Sequence, residues 1–300
     1  MAYGRYGVGV TSDNGEPVGD AAGEVTGEWG GVDIHFGEQG AKLTYGSYLQ
    51  LTTLLSAQQL KAHPSAHDEL LFITIHQAYE LWFQQLLYEA CTARDAIAAG
   101  EVWLAQHLLN RMHVIERVLV EQVDILETMT PSSFSSFRDR LETASGFQSV
   151  QFREIEFALG YKRASTLAYL KPDFPGYDRL RKLLGERSVV DHFYDFLATR
   201  GAQIPADLKN RDVTQPNQPD ERVQKETLRL YKNSPECSIL FELMTDFDEG
   251  LQEWRYRHIK LVERTIGAKK GTGGSPGVPF LKESLFKPVF HDLWAIRHEM

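Results

Sequence analysis

No glycine or proline interrupts the chain between Asp68 and Ala99. Along that stretch Leu71, Ile75, Leu81, Trp82, Leu86 and Tyr88 return with a period near 3.6. That is the repeat of an amphipathic helix, not the two-residue repeat of a strand. The pattern predicts one long helix ending at Gly100, with Ser65 and Asp68 resembling a capping box at its start. A second long helix is predicted over residues 102–129. Thr130-Pro131 ends it, because proline steers the preceding residue away from helical backbone. Further helices are predicted at 132–141, 149–159, 189–199, 221–231 and 238–266, with the linker DVTQPNQPD before the fourth of these. No run of alternating strands is evident, so the fold class is all-α, a single bundle-like domain.

Residues 1–40 stand apart. They hold eleven of the 24 glycines and seven acidic residues against the single basic Arg5. Such a stretch buries too little apolar surface to offset its ordering entropy. The expected organisation is a flexible or loosely docked N-terminal arm over 1–40 and an all-α domain over 41–300.

Charge and composition narrow the partners. With 42% hydrophobic and 24% charged residues the chain reads as globular. A net charge of −9 offers phosphate backbones nothing to neutralise, so nucleic acid is not an expected partner. No apolar run approaches the roughly 20 residues that cross a bilayer, and the first residues lack a secretory pattern. Cys91 and Cys237 do not make a disulfide framework, which fits a reducing cytoplasm.

Several chemistries are excluded by motif. There is no Glu-x-x-His pair for a di-iron bundle, no His-Glu-x-x-His, and no Cys-x-x-Cys-His for covalent haem attachment. The glycine-rich run at 271–277 follows a helix and lacks phosphate-loop spacing, so it reads as an active-site lid.

Three constellations remain. Phe72, His76 and Glu80 are four residues apart and share one helical face. His76 there is either a hydrogen-bonded core residue or a site residue. Phe134, Phe137, Arg138 and Leu141 follow the i, i+3, i+4, i+7 pattern of a buried stripe. An arginine in such a stripe needs an anion, and its planar fork suits a carboxylate. That anion is either a ligand or Glu142. The third is Trp254-Arg-Tyr-Arg257-His258, where His258 is a core or surface residue or the one protein ligand of a haem iron.

Together these motifs resemble the tryptophan 2,3-dioxygenase family. The resemblance runs from Leu43 to Trp294 and is carried by LFITIHQAYELW, FRDRLETASGFQSVQFREIEF, EWRYRH and KKGTGGSPG, in family order. It implies an all-α homotetramer with one non-covalent haem b per subunit, O2 as co-substrate and L-tryptophan or a close indole analogue as substrate. It implies His258 as the proximal iron ligand, His76 hydrogen-bonded to the indole N–H, and Arg138 on the substrate carboxylate. Thr272 in the lid would contact the carboxylate and ammonium groups. Phe72, Phe134 and Phe137 would form the indole slot, with Ser145 and Gly146 beside the cofactor. Tyr45, Tyr48 and Leu49 would complete the pocket of a neighbouring subunit. The implied reaction opens the indole C2–C3 bond and places both oxygen atoms in N-formyl-L-kynurenine.

The chain departs from the family pattern at the lid, where Pro276 replaces a serine and Pro279 follows, and before His76, where Thr74-Ile75 stands in place of an apolar-then-polar pair. These departures keep one alternative in view, a haem monooxygenase of the same superfamily acting on tryptophan or a methylated tryptophan or indole. A rival from another class is a non-catalytic haem sensor or carrier, which would need neither Arg138 nor Thr272.

Overall fold

The computed structural model describes residues 25–29, 32–36, 43–168, 170–275 and 277–300. The chain divides into two compact units, Met1–Gln58 and Gln59–Met300. In the first, strands β1 (Val25–Trp29) and β2 (Val32–Phe36) pair antiparallel, with Trp29 opposite Val32 and Val25 opposite Phe36. This hairpin is the one departure from an all-helical chain among the described residues. Its local signal is the pair Gly30-Gly31 between two runs that contain β-branched residues. Short helices α1 (Tyr45–Tyr48) and α2 (Leu51–Leu55) follow.

The second unit is helical throughout, as the periodicity predicts. Its order is α3 (His67–Ala99), α4 (Val102–Glu127), α5 (Pro131–Arg138) and α6 (Val150–Leu159). Two 3-10 turns, Asp139–Leu141 and Gly146–Gln148, lie between α5 and α6. Then come α7 (Ser165–Ala168), α8 (Tyr177–Gly185), α9 (Val189–Thr199) and α10 (Ala206–Lys209). The chain finishes with α11 (Glu221–Asn233), α12 (Pro235–Ile266), α13 (Val278–Lys282) and α14 (His291–Ala295).

Three long helices build the frame. Helix α4 packs on both α3 and α12, while α6 and α9 pack on α3. Their buried faces explain why. On α4 the residues Val102, Ala105, Leu109, Met112, Leu119, Val123 and Leu126 are buried at alternating three- and four-residue steps, the spacing that keeps one stripe facing a neighbouring helix. On α12, Cys237, Leu240, Met244, Phe247, Leu251, Trp254 and Leu261 do the same. His258 falls on the next step of that register after Trp254. On α3 the register runs through Phe72, His76, Tyr79, Phe83, Leu86 and Ala90. Both histidines therefore project toward the interior of the bundle.

Local signals set the helix ends. Gly100 ends α3 with φ of 74°, a left-handed conformation that glycine adopts without a Cβ penalty. Ser149 caps α6 by accepting from Phe152 N–H at 3.3 Å. The expected capping box at Ser65 is not formed. Ala66 is the N-cap of α3, with no side-chain cap, and Asp68 instead takes the imidazole of His67 at 2.9 Å.

Glu116 occupies the missing step of the α4 stripe, buried against Gly250, where an added Cβ would lie 2.5 Å from Glu116 Oε2. Neither carboxyl oxygen has a hydrogen-bond partner among the described residues. Burial, and then the nearby Asp248, push its pKa well above the ordinary carboxyl value.

Two buried aspartates fasten the C-terminal segment. Asp248 accepts from Val289 N–H, Phe290 N–H and Trp294 Nε1–H. Asp292 accepts from Tyr194 O–H at 2.7 Å and Asp220 N–H at 2.8 Å. Charge-assisted bonds of this kind are roughly twice as strong as neutral ones. They bring α14 onto α12 and so fix where the segment after the glycine-rich loop returns. Among the described residues no helix is long and apolar enough to cross a membrane.

Candidate active site

The helices α3, α5, α6 and α12 and the glycine-rich loop surround a cavity of about 260 Å³. That is space for on the order of twenty waters, at roughly 10–15 Å³ for each water centre. Its lining includes Phe72, His76, Phe134, Arg138, Ser145, Gly146, His258 and Thr272. Eight residues singled out from the sequence, scattered over 200 positions of chain, thus meet around one space.

Phe137 does not line it. It is fully buried behind the wall, 5.6 Å from the Phe72 ring and 5.4 Å from the Phe134 ring. Phe137 shares a helical stripe with Phe134, but the Phe72 and Phe134 rings that line the cavity pack against it and cover it. Tyr45, Tyr48 and Leu49 belong to the first unit and are exposed there, Tyr45 at 77%.

His76 Nδ1 lies 2.7 Å from the Phe72 carbonyl oxygen. A carbonyl only accepts, so Nδ1 carries the proton and donates. In the neutral ring Nε2 then holds a lone pair. Burial lowers the His76 pKa below its ordinary value, against the pull of the Phe72 carbonyl and Glu80. The ring is neutral at neutral pH and presents an acceptor. The Phe72 ring packs against it at 4.1 Å. Thr74, beside it in sequence, is exposed, and Ile75 is buried in the core.

His258 comes from α12. Burial lowers its pKa to about 4, helped by the nearby His76 and Arg153. Its ring stacks on Trp254 with planes 4° apart and centroids 5.2 Å apart. It makes no hydrogen bond among the described residues, so its nitrogen lone pair is free for a metal. Among those residues no three His, Cys, Asp or Glu side chains converge as a metal site. One imidazole alone holds a metal only weakly, so a metal that His258 ligates must bring its other ligands with it, as a macrocycle does.

Arg138 sits at the mouth. Its Nη2 donates to the Lys270 carbonyl at 2.8 Å, while its buried Nε has no partner. Among the described residues it forms no salt bridge, so the pair with Glu142 that the sequence left open is not made. A buried guanidinium donor without an acceptor is costly, and the site is built to receive one. Lys270 precedes the loop that carries Thr272, whose hydroxyl donates to the Ala144 carbonyl. Pro279 lies in the first turn of α13, where its missing N–H costs nothing. Pro276 lies outside the described residues.

The family profile described as tryptophan 2,3-dioxygenase matches residues 33–179 and 226–300. The chain belongs to the tryptophan 2,3-dioxygenase family. A protein named tryptophan 2,3-dioxygenase from Herpetosiphon aurantiacus is 48% identical over 258 residues, covering 86% of this chain and 98% of its own. One of the same name from Anaeromyxobacter dehalogenans is 48% identical over 257 residues, covering 86% and 96%. A third, from a Nocardioides species, is 47% identical over 278 residues, covering 89% and 98%.

Family membership makes the chain an enzyme and accords with the resemblance carried by the four sequence motifs. Sequence reasoning did not single out a charged group on the inner wall, where Arg153, Glu156, Arg163 and Arg255 line the same cavity. Arg153 and Glu156 stand inside the FREIEF motif, but Arg255 reaches Glu156 across 99 residues of chain. No local spacing announces such a contact.

Proposed function

We propose that this protein cleaves the indole C2–C3 bond of L-tryptophan with O2, giving N-formyl-L-kynurenine, with one haem b held by His258. The observation that carries this reading is the pairing of two neutral histidines from α3 and α12 in one aromatic cavity, with an unneutralised arginine at its mouth. The half-buried imidazole of His258, without a hydrogen bond among the described residues, would hold the haem iron, and the aromatic walls fit a flat macrocycle and an indole. When bound, haem supplies the activation of O2.

The chain's own residues orient the substrate. Phe72 and Phe134 form the slot, with Phe137 backing both rings. His76 Nε2 accepts the indole N–H, which fixes the rotation of the ring in the slot. Arg138 holds the carboxylate through donors that have no carboxylate partner among the described residues. The Thr272 hydroxyl oxygen keeps a lone pair for the substrate ammonium, and the loop excludes water once the amino acid is seated. Ser145 and Gly146 stand beside the cofactor edge. In a homotetramer the exposed Tyr45, Tyr48 and Leu49 complete a neighbour's pocket. A cytoplasmic setting suits two cysteines that are both free.

The monooxygenase alternative is not favoured, because the relatives are named dioxygenases. A haem carrier without turnover would have no use for the Arg138 clamp. The test is to load the protein with haem, reduce it, and supply tryptophan in air. Formation of N-formylkynurenine is the expected result. A haem-loaded, reduced protein that leaves tryptophan unchanged rejects the proposal.

A further inference from the structure

Among the described residues His258 makes no hydrogen bond at either ring nitrogen. A metal-ligating imidazole is ordinarily held through its second nitrogen, which donates to a carbonyl, a carboxylate or water and so fixes the plane of the ring. Without such a bond the last torsion of the side chain is soft, with a broad two-fold preference. The fixed neighbour of this ring is an aromatic one.

Trp254 stands one turn before His258 on α12. Its ring lies 4° from parallel to the imidazole, with centroids 5.2 Å apart. Offset parallel rings at that separation attract. A flat face laid along the imidazole also resists its rotation about the Cβ–Cγ bond.

The indole is itself gripped from two other helices. Phe83 of α3 meets it edge-on at 5.7 Å and 87°, and Tyr79 of the same helix at 6.2 Å and 72°. Phe152 of α6 packs on it at 4.8 Å. All four rings are buried. Tyr79 is anchored in turn by its hydroxyl, which donates to the Leu119 carbonyl of α4 at 3.0 Å. Tyr79 and Phe83 follow His76 on the inward register of α3. The helix that carries His76 therefore also holds the indole on which His258 rests.

We infer that Trp254, gripped by Tyr79, Phe83 and Phe152, is a positioning residue that fixes the plane of the His258 imidazole in place of the usual hydrogen bond. The inference rests on the haem reading proposed above. It adds how the orientation of the iron's protein ligand is set.

The test reads that plane directly. In a low-spin ferric haem the anisotropy of the electron paramagnetic resonance depends on the angle of the axial imidazole about the iron–nitrogen bond. The haem-loaded ferric protein is therefore measured as its azide complex. The parent should give one narrow rhombic set of g values. Trp254→Leu keeps apolar bulk but cannot stack, and should give a broadened or multiple set. It should also lose haem to excess apomyoglobin about threefold to tenfold faster, the range for losing one aromatic pair. Trp254→Phe restores a flat face and should recover the single narrow set. Circular dichroism establishes that each variant is folded. If Trp254→Leu is not, Phe83→Leu, which loosens the grip on the indole, should broaden the parent's set in the same direction. A folded leucine variant with the parent's narrow set overturns the inference, and so does a phenylalanine variant as broad as the leucine one. Both results leave His258 as the ligand. A parent that takes up no haem overturns the inference and the haem reading together.

Discussion

A Cβ placed on Gly273 would stand 2.7 Å from the Cβ of Ser145. The loop backbone therefore rests directly on the residue that opens the turn at Gly146–Gln148, with Thr272 bonded to Ala144 beside it. Both atoms of the close approach are stiffly attached to backbone, so Gly273→Ala must lift the loop from this seat. Its expected effect is a fall in kcat/KM of about tenfold, or about 1.4 kcal/mol, with haem retention unchanged. Steady-state kinetics beside the Soret spectrum check this. Unaltered kinetics would show that the contact does not matter for turnover.

His258→Ala should leave the helical fold in place and abolish or greatly weaken haem retention, the result expected of the protein ligand to the iron. Absorbance after gel filtration gives the answer. A variant that keeps the parent's spectrum and activity removes His258 from the account.

His76→Ala should retain haem. Losing the acceptor for the indole N–H costs on the order of 1–3 kcal/mol, or about one to two decades in rate. The pH profile carries a second sign. The active ring is neutral, and burial places its folded pKa below the ordinary histidine value. Activity should therefore persist as pH falls past the ordinary histidine range and drop only on passing the lowered pKa. That acid limb should vanish in the alanine variant. An acid limb that survives unchanged belongs to another group.

How far the sequence alone reached follows from which forces are local. Helix α3 was legible because its period runs unbroken to Gly100, and α9 begins at Val189 and ends at Thr199 as predicted. Helix α8 was not singled out, since it is only nine residues long and follows the proline- and glycine-broken stretch KPDFPG. The hairpin at Val25–Phe36 hid inside a glycine-rich composition. Ser65 imitated a cap that Ala66 occupies. Within the site, His76, Arg138 and His258 were legible through motif and register. The Arg255–Glu156 pair was not, because it depends on how α6 lies against α12.

Arg138→Leu keeps bulk and removes the fork. Tryptophan turnover should fall by roughly 2–5 kcal/mol in kcat/KM, the scale for breaking a buried charged pair. Tryptamine, which lacks the carboxylate, should be a poor substrate of the parent and suffer little further loss in the variant. Kinetics of both substrates with both proteins close the cycle. If tryptamine slows as much as tryptophan, Arg138 is a structural residue of the loop through Lys270.

The fate of dioxygen tests the central claim most directly. The reduced, haem-loaded protein is given tryptophan under isotopically labelled O2, and the product is weighed by mass spectrometry before any exchange with water. The account predicts N-formylkynurenine carrying both labelled atoms in each molecule. A product that carries only one labelled atom with the indole ring still closed would contradict it and make this protein a monooxygenase.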